Sequence, residues 1–211
     1  QQLILYCLKA NFNFGQFLQA ESLPYSLASC KEIVANEGTN NVFGFFLLTN
    51  FVPLCAILGI KSLEGSLIMN EEFYNNFRVG LEALLSLSTK DALEVYNGFL
   101  ARRAELAGLQ FNESNAQQKA IVRLCCLSRI FDSEKGKKVF DQFMSINDNE
   151  KAALTKYLNA DGIHERGFLL FHSPMFVGNA STNKHLTGAQ SLRKLIHMYK
   201  LADAAFPATE K

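Results

Sequence analysis

Apolar residues recur along most of the chain at the three- and four-residue spacing that places them on one face of an α-helix. After Glu71, for example, Phe73, Phe77 and Leu81 fall on one stripe. Asn, Ser, Thr and Asp, the residues preferred at helix N-caps, precede many of these segments. The pattern predicts an all-α protein, an irregular orthogonal helical bundle of roughly nine to ten helices.

The clearest start signals lie in the second half of the chain. Ser88 is followed three residues later by Asp91, which resembles the spacing of a capping box. Gly108 suits the left-handed residue that ends a helix. We predict helices over 88–108, 113–131, 133–144, 148–159 and 187–206.

One long apolar run separates these signals from the N-terminal part of the chain. Val42 to Ile60 contains nineteen residues and no ionisable side chain. A membrane span needs about twenty mostly apolar residues, but Thr49, Asn50 and Pro53 lie near the centre of this run, where polar and helix-breaking residues cost most. We therefore expect two short buried helices that meet near Asn50 to Pro53, with Asn50 as the N-cap of the second.

The organisation of the chain favours one domain. No fixed period recurs and no Pro, Gly or Ser-rich linker divides the sequence. We predict a single helical domain over 1–211, while a shift in composition near residue 112 leaves a division into two helical subdomains open. The chain begins QQLILYCLKA, without Met and already within an apolar segment, so we expect a piece excised from a longer protein.

Charge excludes one class of partner. With 21 basic and 20 acidic residues the net charge is +1, which gives no field to attract a phosphate backbone, so we predict no nucleic-acid partner. Arg78, Arg102 and Arg103 stand near glutamates in the sequence, which predicts ion pairs along helix faces rather than an anion-binding cluster.

The cysteines indicate the redox state of the cellular compartment in which we expect the protein. Their number is odd, five, and all occupy apolar helical contexts without a CxxC motif. This pattern is typical of reduced core residues, so we expect an intracellular, cytoplasmic protein in a reducing compartment.

Candidate chemistry concentrates in residues 161–188, which do not show plain amphipathic periodicity. His164, Glu165 and His172 are of the types that move protons near neutral pH and are the candidate catalytic residues. No metal-binding motif accompanies them, so we assign no metal, and no motif names a cofactor. The simpler interpretation is that these histidines are capping, turn and surface residues.

The sequence GNASTNKH at 178–185 offers a candidate anion site. Ser181, Thr182, Lys184 and His185 supply donors, but the positions around Lys184 lack the Gly and the Ser or Thr of a phosphate-binding loop. We expect a polar surface loop, which binds an anion only if it caps a helix N-terminus.

Three functions remain open, and the sequence does not decide whether the protein is an enzyme. The first hypothesis is a helical protein–protein interaction or regulatory module with a protein partner and an exposed apolar groove. The second is a small hydrolase or metal-assisted enzyme that uses segment 161–188. The third is an apolar-ligand or membrane-associated protein, although membrane contact is disfavoured. Its binding residues would be Phe43, Phe45, Phe46 and Phe51.

Overall fold

A computed structural model describes Leu5 and residues 12–35, 42–62, 71–168, 170, 173–182 and 185–207. Within these residues it contains ten α-helices and no strand, so the predicted all-α helical bundle is confirmed. The helices are α1 (Phe14–Leu18), α2 (Ala28–Ala35), α3 (Val42–Ser62), α4 (Glu71–Leu85), α5 (Ala92–Leu106), α6 (Ala116–Leu127), α7 (Ser133–Ser145), α8 (Asp148–Asn159), α9 (Ser173–Thr182) and α10 (Gly188–Ala205). Short 3₁₀ helices cover Pro24–Leu27 and Ser86–Ser88.

The chain divides into two compact units. The first comprises Gln1–Leu18 and Pro24–Phe99, and the second comprises Gln19–Leu23 and Leu100–Lys211. The division therefore falls inside α5, thirteen residues before the shift in composition near residue 112 (112 − 99 = 13).

Aromatic rings fill the interior of the first unit. Phe17 and Phe99 are fully buried, with ring centroids 4.4 Å apart, and Phe14 meets the edge of Phe77 at 5.1 Å. α4 approaches α1 closely at Gly80, where a Cβ atom would lie 2.3 Å from a methyl carbon of Leu18. Much of the Phe excess in the sequence is therefore used for dry helix packing.

α3 is one continuous helix, so the expectation of two short helices meeting near Asn50 to Pro53 is wrong. The Asn50 side chain does not cap a second helix, because its Nδ2 donates to the Phe46 carbonyl at 2.8 Å. Thr49 Oγ1 donates to the same carbonyl at 2.8 Å. Both polar side chains thus find acceptors within the helix, and Pro53 removes one backbone donor without ending it.

The expectation that this segment is buried is also only partly correct. Val42 and Phe46 are buried, whereas Leu48 is 55% exposed and Val52 is 52% exposed. In the described part of the chain, no helix is long and apolar enough to cross a membrane.

The predicted helix starts in the second unit are confirmed at three positions. Asp132, Asn147 and Thr187 each accept a hydrogen bond from a backbone amide in the first turn of the helix that follows. The helix predicted from residue 113 instead begins at Ala116, where Asn115 caps it by accepting the Gln118 amide. The caps at Asn147 and Thr187 are complete capping boxes.

The start of α5 differs from the prediction. Ser88 belongs to a 3₁₀ helix, and Asp91 instead accepts the Glu94 amide at 2.9 Å, so α5 begins at Ala92. Gly108 follows α5 with φ +64°, the left-handed conformation expected at this stop.

The core of the second unit lies among five helices. α6 packs against α7, α8 and α9, and α10 packs against α7, α8 and α9. Leu124, Phe143, Leu154 and Leu195 are at most 1% exposed within it. The segment from 160 to 168 follows α8 and is tied to α10 by the ion pair between Arg166 and Asp203.

Candidate functional site

An open cleft of about 560 Å³ lies in the second unit, between the end of α8, the segment 160–168 and the end of α10. We call it the α8–α10 cleft. Its lining residues are Lys156, Tyr157, Ala160, Glu165, Arg166, Gly167, Phe168, Lys200, Asp203, Ala204 and Pro207. The cleft brings together residues that are up to 51 positions apart in the sequence (207 − 156 = 51).

Aromatic side chains form one side of the α8–α10 cleft. The rings of Tyr157 and Phe168 are 4.8 Å apart, and both pack against Tyr199, at 5.6 and 5.3 Å. Tyr199 OH and Ser173 Oγ share a buried hydrogen bond of 2.8 Å. Burial raises the pKa of Tyr199 to about 12, so its phenol is neutral at physiological pH and supports the ring cluster as a fixed wall.

Asp203 joins the two sides of this cleft. One of its oxygens accepts a hydrogen bond from Tyr157 OH at 3.3 Å, and the other accepts from Arg166 at 3.2 Å. The Arg166 guanidinium also donates to the Phe206 carbonyl at the end of α10. Arg166 therefore ties segment 160–168 to α10.

Lys156 and Lys200 contribute two further positive charges. Among the residues that the structure describes, neither has a carboxylate within salt-bridge distance. Lys156 Nζ lies 5.5 Å from the centre of the Tyr157 ring, in the last turn of α8. These ammonium groups are thus available to a negatively charged ligand.

Two of the three predicted catalytic residues fall in the described chain. Glu165 lines the α8–α10 cleft, whereas His164 is not among the lining residues and its side chain is 69% exposed. His172 lies outside the described residues, so the proposed grouping of the three remains a prediction. The structure therefore places one predicted catalytic side chain at the cleft.

Asp161 holds His164 in place. Its Oδ2 is 2.9 Å from His164 Nδ1, while its Oδ1 accepts the Ile163 and His164 amides at 2.7 and 2.9 Å. This arrangement orients the imidazole and leaves Nε2 for another partner. Burial alone would raise the pKa of Asp161, but the hydrogen bonds from His164 and the backbone amides lower it to about 2.

This lowered pKa predicts a pH-dependent contribution to stability. Because the folded-state pKa lies below the ordinary value of 3.8, Asp161 stabilises the fold above about pH 4 and loses this effect as the pH falls towards 2. We expect Asp161→Asn to lower the free energy of unfolding by about 2 kcal/mol at pH 5 and by less than about 1 kcal/mol at pH 2. Urea unfolding of both proteins at the two pH values measures this difference. An equal effect at both pH values would contradict it.

The predicted anion site does not form a loop at a helix start. Residues 178–182 belong to α9, and Ser181 and Thr182 are its last two residues, which corrects the polar-loop interpretation for this stretch. The C-terminal end of a helix dipole disfavours anions. Lys184 lies outside the described residues, and His185 is exposed in a turn before Thr187, the N-cap of α10.

Three of the four phenylalanines of the predicted apolar-binding segment have ring contacts in the first unit. Phe46 is buried and lies 6.3 Å from the Phe12 ring and 6.5 Å from the Phe43 ring. Phe51 meets the edge of Phe77 at 6.0 Å, and Phe45 is half-buried. Their role in binding an apolar ligand remains a prediction.

The sequence interpretation missed two buried arginines. Arg103, expected in a surface ion pair, is 1% exposed, donates to the Ile130 carbonyl at 3.1 Å and covers the Phe131 ring at 4.4 Å. Arg123 is 2% exposed and donates to the carbonyls of Ala20, Leu158 and Ser22. A signal for Arg123 exists, since it lies inside the apolar run AIVRLCCL. The expected ion pairs do form at Arg78 with Glu82 and at Arg102 with Glu105.

In the described part of the chain, no group of three or more His, Cys, Asp or Glu side chains could hold a metal ion. No curated protein and no solved structure matches the chain. The model of one protein family matches residues 1–200, and the chain therefore belongs to the family of unknown function DUF6829.

Proposed function

We propose that the chain is a helical protein–protein interaction module of a larger intracellular protein, and that the α8–α10 cleft binds an acidic peptide segment of a partner protein. One observation carries this proposal: an open cleft combines a fixed aromatic wall with two lysines that have no salt-bridge partner among the described residues. Aromatic and basic side chains together are typical of surfaces that recognise acidic motifs.

The size of the cleft suits a few side chains of a peptide. Its volume of about 560 Å³ lies within the 300–1,000 Å³ typical of binding sites, and it is open to solvent. Phe206, beside the lining residue Pro207, is 73% exposed. An exposed aromatic residue next to a cleft is a common anchor in protein interfaces.

The charges of the cleft favour an acidic segment over a basic one. Arg166 and Asp203 pair with each other at 3.2 Å, so their charges largely offset. Lys156 and Lys200 then outnumber Glu165, the other carboxylate among the lining residues. A negatively charged peptide would gain charge-assisted hydrogen bonds from both lysines.

The free cysteines support the intracellular part of the proposal. Cys30, Cys125 and Cys126 are buried and free. Burial raises the pKa of the Cys125 thiol to about 12 and also raises the pKa values of the Cys30 and Cys126 thiols. All three thiols therefore stay protonated and unreactive. Unpaired buried cysteines are typical of proteins from reducing compartments.

Reversal of the two lysine charges tests the proposed function. We expect selection of random 12-residue peptides on the purified chain to enrich sequences that contain several Asp or Glu residues and an aromatic residue. A fluorescein-labelled copy of the most enriched peptide should bind Lys156→Glu/Lys200→Glu at least tenfold more weakly in fluorescence polarisation, because each lost charged hydrogen bond is worth about 1.5–3 kcal/mol.

A matched variant separates a local effect from a change in total charge. Lys31→Glu/Lys194→Glu reverses two exposed lysines that do not line the cleft, so peptide affinity should stay within about twofold of the wild type. Selection of peptides without acidic residues, or equal weakening by both double variants, would reject the cleft as the binding site.

A further inference from the structure

A second crevice, separate from the α8–α10 cleft, lies among α6, α7, α9 and α10. Its volume is about 340 Å³, within the range of small-molecule sites. The two sites have no lining residue in common. We call this site the α7–α10 crevice.

Most of the lining of the α7–α10 crevice is apolar, although Ser128, Gln142 and Ser191 also contribute to it. Leu124, Leu192 and Leu195 form buried parts of it, and Phe176 and Val177 of α9 add half-buried apolar surface. An apolar surface that the protein itself does not fill leaves unused contacts, which an apolar molecule would make. The lining therefore suits hydrocarbon.

The charged residues of the lining have one sign. Lys135 and Lys138, on α7, are the charged side chains among the described lining residues, and no carboxylate is included. They pair with Asp132 and Glu134 at 2.9 and 2.7 Å, but both lysine side chains are 64% exposed. Exposed pairs of this kind contribute little, so an anion at the opening can replace them at small cost.

We propose that the α7–α10 crevice binds a free amphiphile with a negatively charged head and a straight alkyl chain of about ten carbons. The apolar lining receives the chain, and the two lysines receive a carboxylate. The length is set by the volume of about 340 Å³, which lies at the lower end of the range of small-molecule sites and therefore suits a medium-length chain rather than a long one. This proposal does not depend on the peptide-binding function of the other cleft.

Titration calorimetry with carboxylates of increasing length tests the ligand class. The probes are sodium hexanoate, octanoate and decanoate, with 1-decanol as the uncharged counterpart. We expect saturable 1:1 binding that tightens about fourfold for each added methylene up to ten carbons. Decanoate should bind at least tenfold more tightly than 1-decanol, because the alcohol lacks the charge that the lysines recognise.

Three variants locate the site. Val177→Phe fills the crevice from α9 and should weaken decanoate binding at least tenfold. Lys135→Gln/Lys138→Gln should weaken decanoate binding about tenfold and leave 1-decanol binding within twofold. Lys137→Gln changes an exposed lysine of the same helix that does not line the crevice, and should leave both affinities unchanged.

Several outcomes would overturn the proposal. Absence of saturable decanoate binding to the folded wild-type protein would remove the site. Full binding by Val177→Phe, with a circular dichroism spectrum like that of the wild type, would show that the ligand binds elsewhere. Sedimentation with vesicles of phosphatidylcholine and phosphatidylserine, without binding of monomeric decanoate, would assign the surface to membrane lipid instead of a free amphiphile.

Discussion

Replacement of Arg123 with Met is expected to lower the free energy of unfolding by about 3–5 kcal/mol. The guanidinium is 2% exposed and donates to three main-chain carbonyls, at 2.9 Å to Ala20, 2.5 Å to Leu158 and 3.0 Å to Ser22. Met has a similar apolar stem but no donor, so these carbonyls would lose their charged partner away from water. A buried acceptor without a donor costs about 1–3 kcal/mol.

The planar fork of the guanidinium matters as well as its charge. Its three bonds connect residues 20 and 22 to the end of α8 at Leu158, segments that are more than 130 positions apart (158 − 22 = 136). Lysine has the charge, but its donors share one nitrogen, whereas Nε and the two terminal nitrogens of Arg123 each serve a different carbonyl. We therefore expect Arg123→Lys to recover less than half of the stability lost in Arg123→Met.

Urea unfolding followed by circular dichroism measures this prediction, and Arg193→Met is the matched control. Arg193 pairs with Glu150 at 2.8 Å, but its side chain is 50% exposed, so its loss should cost less than about 1 kcal/mol. A loss below about 1 kcal/mol for Arg123→Met would mean that the buried hydrogen bonds do not hold the second unit together.

The sequence predicted the second unit well because its helix starts depend on local chemistry. At Asn147 and Thr187, the side chain that caps the first turn and the residue three positions later are both visible in the sequence. Gly108 is equally local, since the left-handed conformation depends on its own missing side chain. Such signals need no knowledge of tertiary contacts.

In helix α3, the local signals for a new helix start did not determine the structure. Asn50 is a good N-cap and Pro53 a good first-turn residue, which together suggested a new helix. In the structure, Thr49 and Asn50 instead donate to the Phe46 carbonyl of the preceding turn. The same side chains can serve either arrangement, and the sequence does not say which carbonyl or amide they will meet.

The α8–α10 cleft could be predicted only in part. Glu165 was named as a candidate from its neighbourhood of histidines, but Lys156, Arg166 and Lys200 were not. These residues meet because α8 and α10 pack together, and helix periodicity does not specify which helices become neighbours. The buried arginines were missed for a related reason: the rule that charges lie outside fails where main-chain carbonyls surround the charge.

Replacement of Gly136 with Ala tests the close approach of α7 to the end of α5. A Cβ atom at this position would lie 2.1 Å from the Ala107 carbonyl oxygen, and this oxygen belongs to the backbone. Alanine favours a helix by about 1 kcal/mol over glycine, but the overlap requires α7 or the Ala107 peptide to move. We expect a net loss of about 2–3 kcal/mol in the free energy of unfolding.

Gly98→Ala is the matched control, because Gly98 also lies within a helix but a Cβ atom there has no neighbour within 4 Å. This change should stabilise the protein by about 0.5–1 kcal/mol, as expected from helix propensity alone. Thermal and urea unfolding of both variants measure the two effects, which should have opposite signs. Equal stabilisation by both would show that α7 can move away from Ala107 at little cost. That result would also weaken the case for the α7–α10 crevice, because Lys135 and Lys138 lie on α7 and their positions at the crevice would then not be fixed.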